Sequence, residues 1–185
     1  MIKRLIASCF VIAVLFWGCD KAENRFNTEY PCNFIFRADY HPTSILKRVL
    51  DNPGMFVYVT AQKRQGIIHL LVYPNNGDAS ENEDIALTTE IENRYNYDNI
   101  GANQSIIIGC STTSEWHAYD RQCPYCLENS TSVNFPLTWV DNGLSVYCAK
   151  CKRTYNLTYG SSTDGYRLLE YRVRYDGTTL TVRNN

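Results

Sequence analysis

Much that would mark a familiar class of protein is missing from this chain. Its 185 residues carry no excess of one charge, the formal net charge being −1. Binding to nucleic acid or to an anionic membrane through bulk positive charge is thereby excluded. No apolar run is long enough to cross a bilayer, which needs about 20 residues for its ~30 Å core. There is no internal repeat and no low-complexity tract. With 20% charged and 13% aromatic residues, the composition is not that of a disordered chain. No phosphate loop, nucleotide fingerprint, pair of catalytic carboxylates or nucleophile triad is visible. Histidine is reduced to His41, His69 and His117, none of them beside a nucleophile in a recognisable motif. Hydrolase chemistry is not expected, and an enzyme is less favoured than a binding or electron-transfer protein.

What the chain does have is cysteine, eight in all, together with fourteen tyrosines and many Thr and Val, which favour strands over helices. The length allows one domain with short extras.

The first 18 residues read as a secretion signal. Lys3 and Arg4 form a positive start, and Leu5 to Trp17 is a 13-residue apolar stretch interrupted only by Ser8. Gly18-Cys19 then resembles the lipobox of bacterial lipoproteins, although Leu15 is one place early and Phe16 and Trp17 are bulky for it. The resemblance implies that Cys19 is acylated and becomes the first residue of the mature protein. It implies membrane attachment through the lipid and a place in the bacterial cell envelope, as an outer-membrane or surface lipoprotein. The acidic Asp20-Lys21-Ala22-Glu23 resembles the surface-export signal of Bacteroidetes lipoproteins, and residues 19–31 read as a tether. Loss of Lys3 and Arg4 with the signal takes the net charge to −3.

Alternation and β-branched residues mark strands at 33–36, 56–60, 67–73, 105–109, 115–120, 144–147, 155–157, 168–175 and 178–182. Asp176-Gly177 is a two-residue hairpin turn. One short helix is expected over 45–50, capped by Thr43 or Ser44 and ended by Asn52-Pro53-Gly54. Residues 75–104 break this rhythm. They hold seven acids against the single base Arg94, a net −6, and read as a solvated insertion, mobile at least as far as Asp84. The fold class is all-β, an antiparallel domain over residues 32–185 with nine or ten short strands.

Cys123-Pro-Tyr-Cys126 and Cys148-Ala-Lys-Cys151 are two C-x-x-C knuckles separated by 21 residues. A knuckle presents two sulfurs on one side of a tight turn, and two facing knuckles make a tetrahedron suited to a closed, structural Zn²⁺ site. The spacing is slightly longer than that of a zinc ribbon. Zinc is the expected cofactor. Iron, alone or as a [2Fe–2S] centre, is an alternative, as are disulfides or a redox-active pair at Cys123 and Cys126. A redox pair normally precedes a helix, and none is evident after Cys126. Arg121, Lys150, Lys152 and Arg153 lie within two residues of a candidate ligand and could offset the thiolate charge.

The stretch from Trp116 to Val182 resembles a Rieske domain, in particular the Rieske-like lipoproteins of Bacteroidetes. A strand ending in Ala118-Tyr-Asp-Arg-Gln-Cys-Pro124 leads to a first ligand loop, and Val146-Tyr-Cys-Ala-Lys-Cys151 supplies a second. Leu169 to Val182 closes the domain, and Phe56-Val-Tyr-Val and Gly66-Ile-Ile fit earlier strands. The resemblance implies a Rieske-like antiparallel β-sandwich or barrel carrying two zinc-ribbon-like loops. Its ligand pattern departs from that family: Tyr125 and Cys151 stand where histidines would bind iron, and Leu127 and Lys152 where glycines would follow. The expected role is a lipid-anchored binding or assembly module for an unnamed protein partner. An electron carrier with four cysteine ligands and a thiol–disulfide oxidoreductase are the alternatives. Cys32 and Cys110 remain over, and in an oxidising compartment they are expected to pair, for about 2–4 kcal/mol.

Overall fold

A computed structural model describes residues 25–184. The signal peptide, Cys19 and the start of the tether lie outside the described residues. Among those that are described, no helix is long and apolar enough to cross a membrane.

Among the described residues, twelve strands form two antiparallel sheets. The strands are β1 (Asn33–Arg37), β2 (Phe56–Arg64), β3 (Ile67–Pro74), β4 (Glu83–Leu87), β5 (Ser105–Cys110) and β6 (Trp116–Asp120). After them come β7 (Thr138–Val140), β8 (Ser145–Tyr147), β9 (Thr154–Asn156), β10 (Ser161–Ser162), β11 (Glu170–Tyr175) and β12 (Thr179–Arg183). The large sheet runs β1-β12-β11-β6-β5-β2-β3-β4, and the small one β10-β9-β8-β7. Phe34 and Phe36 from one edge of the large sheet share a core with Ile85 and Leu87 from the other. The sheet therefore curls around that core.

Two cores explain the continuous apolar runs of β2 and β5. Successive side chains of a strand point to opposite faces. Val57, Val59, Ile106, Ile108 and Ala118 face the interior of the curl. Phe56, Tyr58, Ile107 and Tyr119 face the small sheet and pack with Val146, Tyr155, Leu157 and the candidate ligands Cys123, Cys126 and Cys148. Strands buried on both faces lose the polar alternation of a one-sided sheet. The first core is completed by α1 (Ile45–Asp51), which buries Leu46, Val49 and Leu50. Ser44 caps that helix, its hydroxyl accepting from the Lys47 amide at 3.1 Å.

Three expectations need correction. The acidic segment 75–104 is built into the fold rather than hung on it. It contributes β4, paired with β3 from Ile68↔Leu87 to Val72↔Glu83, and buries Glu92, Tyr97 and Ile100. Its period-2 pattern at 83–87 is obscured because Glu83 shares the face of Ile85 and Leu87, while Asp84 lies on the outer face of an edge strand, where charge protects an unpaired edge. The tether is docked from Arg25 onward. The Asn27 amide donates to the Glu170 carbonyl at 2.7 Å, and Asn184 donates to the carbonyls of Asn27 and Tyr30, each at 2.8 Å.

Cys32 and Cys110 are both buried and unbonded. Cys32 bridges Ile100 beside the Asp120 end of β6, whereas Cys110 pairs with Trp116 at the opposite end of the β5–β6 ladder. A six-residue strand spans roughly 17 Å, far beyond disulfide reach.

Candidate metal centre

Each knuckle is shaped by a local backbone rule. The first is the start of α2 (Pro124–Glu128), a helix the sequence did not announce. Cys123 is its N-cap residue, and Pro124 occupies the first turn, where its missing N–H costs nothing. One helical turn then brings Cys126 round beside Cys123. The second knuckle is a closed turn: the Lys152 amide donates to the Cys148 carbonyl, and the Cys148 amide to the Arg153 carbonyl, each at 2.9 Å. Lys152 has φ 65°, the left-handed conformation that favours glycine.

The two knuckles face each other. Cys123 Sγ lies 3.5 Å from Cys151 Sγ, and Cys126 Sγ 3.7 Å from Cys148 Sγ. All four sulfurs lie within 4.8 Å of one another. A tetrahedron with metal–sulfur bonds of ~2.3 Å has edges of roughly 3.8 Å. Four soft sulfur donors at that spacing could hold a single metal ion. A two-iron cluster would hold its two cysteine pairs apart by the width of its Fe₂S₂ rhomb, and no such division of the sulfurs into separated pairs is present. Cys123, Cys126 and Cys148 are buried, and Cys151 is partly open.

Charge on these sulfurs calls for a positive partner. Burial pushes the Cys123 thiol well up and the Cys126 thiol up to about 11. Burial acts the same way on Cys151, but it is outweighed there. Hydrogen bonds from the Arg153 amide and guanidinium and from the neighbouring thiols bring Cys151 down to about 7. Arg153 is the one base of the four expected that reaches a sulfur. Its guanidinium lies 3.6 Å from the Tyr125 ring centroid and 4.7 Å from that of Tyr166, and Nε donates to Asp164 at 2.7 Å.

The other three bases correct the expectation. Lys150 and Lys152 are exposed and make no side-chain hydrogen bond or ion pair among the described residues. Arg121 is drawn instead to the face of Tyr58, 4.1 Å from the ring centroid. The three histidines stand apart from the sulfurs, each on a carboxylate. His41 faces Glu92 at 2.6 Å, His69 faces Asp84 at 2.7 Å, and His117 faces Glu170 at 3.2 Å.

Sequence reasoning missed Tyr155. Its hydroxyl lies 3.4 Å from Cys123 Sγ, and its side chain is fully buried. The available signal was the alternation of Tyr155 in β9 with Leu157 just after it, shortly past the second knuckle. Comparison with protein-family models, curated proteins and solved structures finds no match for this chain. The site therefore stands on its own geometry.

Proposed function

We propose that the protein is a lipid-anchored module of the bacterial cell envelope in which a Rieske-like scaffold carries one structural zinc ion in place of a redox cluster. The supporting observation is the mutual approach of four cysteine sulfurs from two knuckles, all within 4.8 Å. A closed set of four thiolates leaves no position for substrate or water, which suits a structural ion and not a catalytic one. Zinc would tie the small sheet and α2 together and present their outer surface to a protein partner. Anaerobic purification without chelators, followed by metal analysis, is expected to give about one zinc per chain and no acid-labile sulfide. A coloured protein containing iron and sulfide would overturn it.

A second reading is an electron carrier with a single iron held by the same four cysteines. The Tyr155 hydroxyl at Cys123 favours it, because hydrogen bonds to ligating sulfur tune iron potentials. A reversible redox wave accompanied by one iron and no sulfide would select it. A thiol oxidoreductase at Cys123 and Cys126 fits less well: both thiols are buried and pushed up, whereas a reactive cysteine is exposed and lowered.

A further inference from the structure

Two of the three buried polar side-chain atoms without a hydrogen-bond partner among the described residues belong to side chains that line one cleft. They are Tyr58 Oη and Arg121 Nε. The cleft has a volume of about 520 Å³ and opens where the small sheet meets β2 and β3 of the large one. Tyr58 is only 5% exposed. Its ring is sandwiched, with Trp139 stacked on it at 3.7 Å and 1° between planes, and the Arg121 guanidinium 4.1 Å from the ring centroid. Leu71, Pro74 and Trp139 give the cleft apolar walls, and no aspartate or glutamate lines it.

Arg121 lacks an anion although the chain around the cleft is rich in them. The four acids of residues 78–84, the stretch that brings Ala79 and Asn82 to the cleft, are engaged elsewhere. Asp78 accepts from Ser80, Glu81 pairs with Arg48, Glu83 accepts from the Ile45 amide, and Asp84 pairs with Arg64 and His69. Arg121 makes no ion pair among the described residues and keeps its place through its backbone. Its amide donates to Ser105 at 3.1 Å, and its carbonyl accepts from Leu137 at 2.8 Å. An unpaired, half-buried guanidinium beside an unpartnered phenol is costly to maintain unless something completes it. A carboxylate fits both groups: the guanidinium offers a planar fork of donors, and the phenol adds one more.

We propose that this cleft binds a small organic carboxylate whose apolar body lies against Trp139 and Leu71 and whose acid group meets Arg121 and Tyr58. The site is separate from the four sulfurs and does not depend on which metal they hold.

Calorimetric titration of the full chain with benzoate tests it. Saturable one-to-one binding is expected. Benzamide, of the same shape but uncharged, is expected to bind at least about tenfold more weakly. Arg121→Gln is expected to abolish benzoate binding, and Tyr58→Phe to weaken it by about three- to tenfold while leaving the metal content unchanged. Should Arg121→Gln fail to fold, the benzamide comparison and Tyr58→Phe still decide the matter. Absence of saturable binding to the unaltered protein, or binding that the altered ligand and residues leave intact, overturns the proposal. Inorganic phosphate binding as tightly as benzoate through Arg121 overturns the assignment of an organic ligand.

Discussion

A tyrosine and a glutamate carry consequences that can be measured one residue at a time. The Tyr155 hydroxyl lies 3.4 Å from Cys123 Sγ, a candidate ligand, in a fully buried position. Tyr155→Phe keeps the ring and removes the hydroxyl. Urea unfolding of the metal-loaded protein is expected to show a loss of roughly 2 kcal/mol, the usual worth of a hydrogen bond to a charged group, with metal retained. Loss of metal instead would make the hydroxyl essential to the site. Glu170 sits between His117 and Arg25. Burial pushes its carboxyl up, but His117 and Arg25 outweigh burial and hold it below its ordinary value. A carboxylate lowered on folding stabilises the protein above its unfolded pKa of about 4.3, and that stability disappears as pH falls through the folded pKa. The Tm gap between the unaltered protein and Glu170→Gln should therefore narrow from about pH 5 down to about pH 3. A gap that stays constant over that range would show that Glu170 acts through packing alone.

Among the elements, the seam between the two sheets is held by a close backbone approach. Gly143, just before β8, has φ 81°, and a Cβ there would lie 2.2 Å from the Asn75 carbonyl oxygen at the end of β3. Asn75 in turn donates to the Gly143 carbonyl at 3.0 Å. Gly143→Ala combines a left-handed backbone with a clash against backbone, which cannot swing aside as a side chain can. A destabilisation of about 2–4 kcal/mol is expected by denaturant titration. The strands flanking this seam were read well from the sequence: β2, β3, β5, β6, β11 and β12 match the expected segments to within a few residues. The elements that escaped were short or ambiguous. β7 has three residues and β10 two, too few for a period to show. The pattern of β4 was masked by its acids. α2 was hidden because its turn is set by Pro124 and by the convergence of Cys123 and Cys126, and not by an amphipathic run.

Over the whole molecule, the small sheet and α2 have little support of their own. Strands of two or three residues cannot close an independent core. They rest on Phe56, Tyr58, Ile107 and Tyr119 of the large sheet and on the four sulfurs. Chelation is expected to open residues 121–168 while the curl formed by β1–β6 and β11–β12 holds, because the interior of the curl contains none of the four sulfurs. Amide exchange with and without chelator reads this directly: protection should fall in the small sheet and persist in β2 and β5. Uniform loss of protection would mean that the metal is needed for the entire fold.

The sequence by itself determined the all-β class, the principal strands, a cap for α1 at Thr43 or Ser44, and the four cysteines that come together, because strand alternation, capping and knuckle spacing are local rules. It also gave the acidity of residues 75–104. The tertiary structure alone decided that this segment supplies β4 and that residues 25–31 are docked. It decided as well that Cys32 and Cys110 stand too far apart to bond, that Arg153 reaches a sulfur while Arg121 faces Tyr58, and that Tyr155 joins the site. Each of these outcomes depends on which residues meet across the curled sheet and its seam, and a linear pattern carries no distance between residues far apart in the chain.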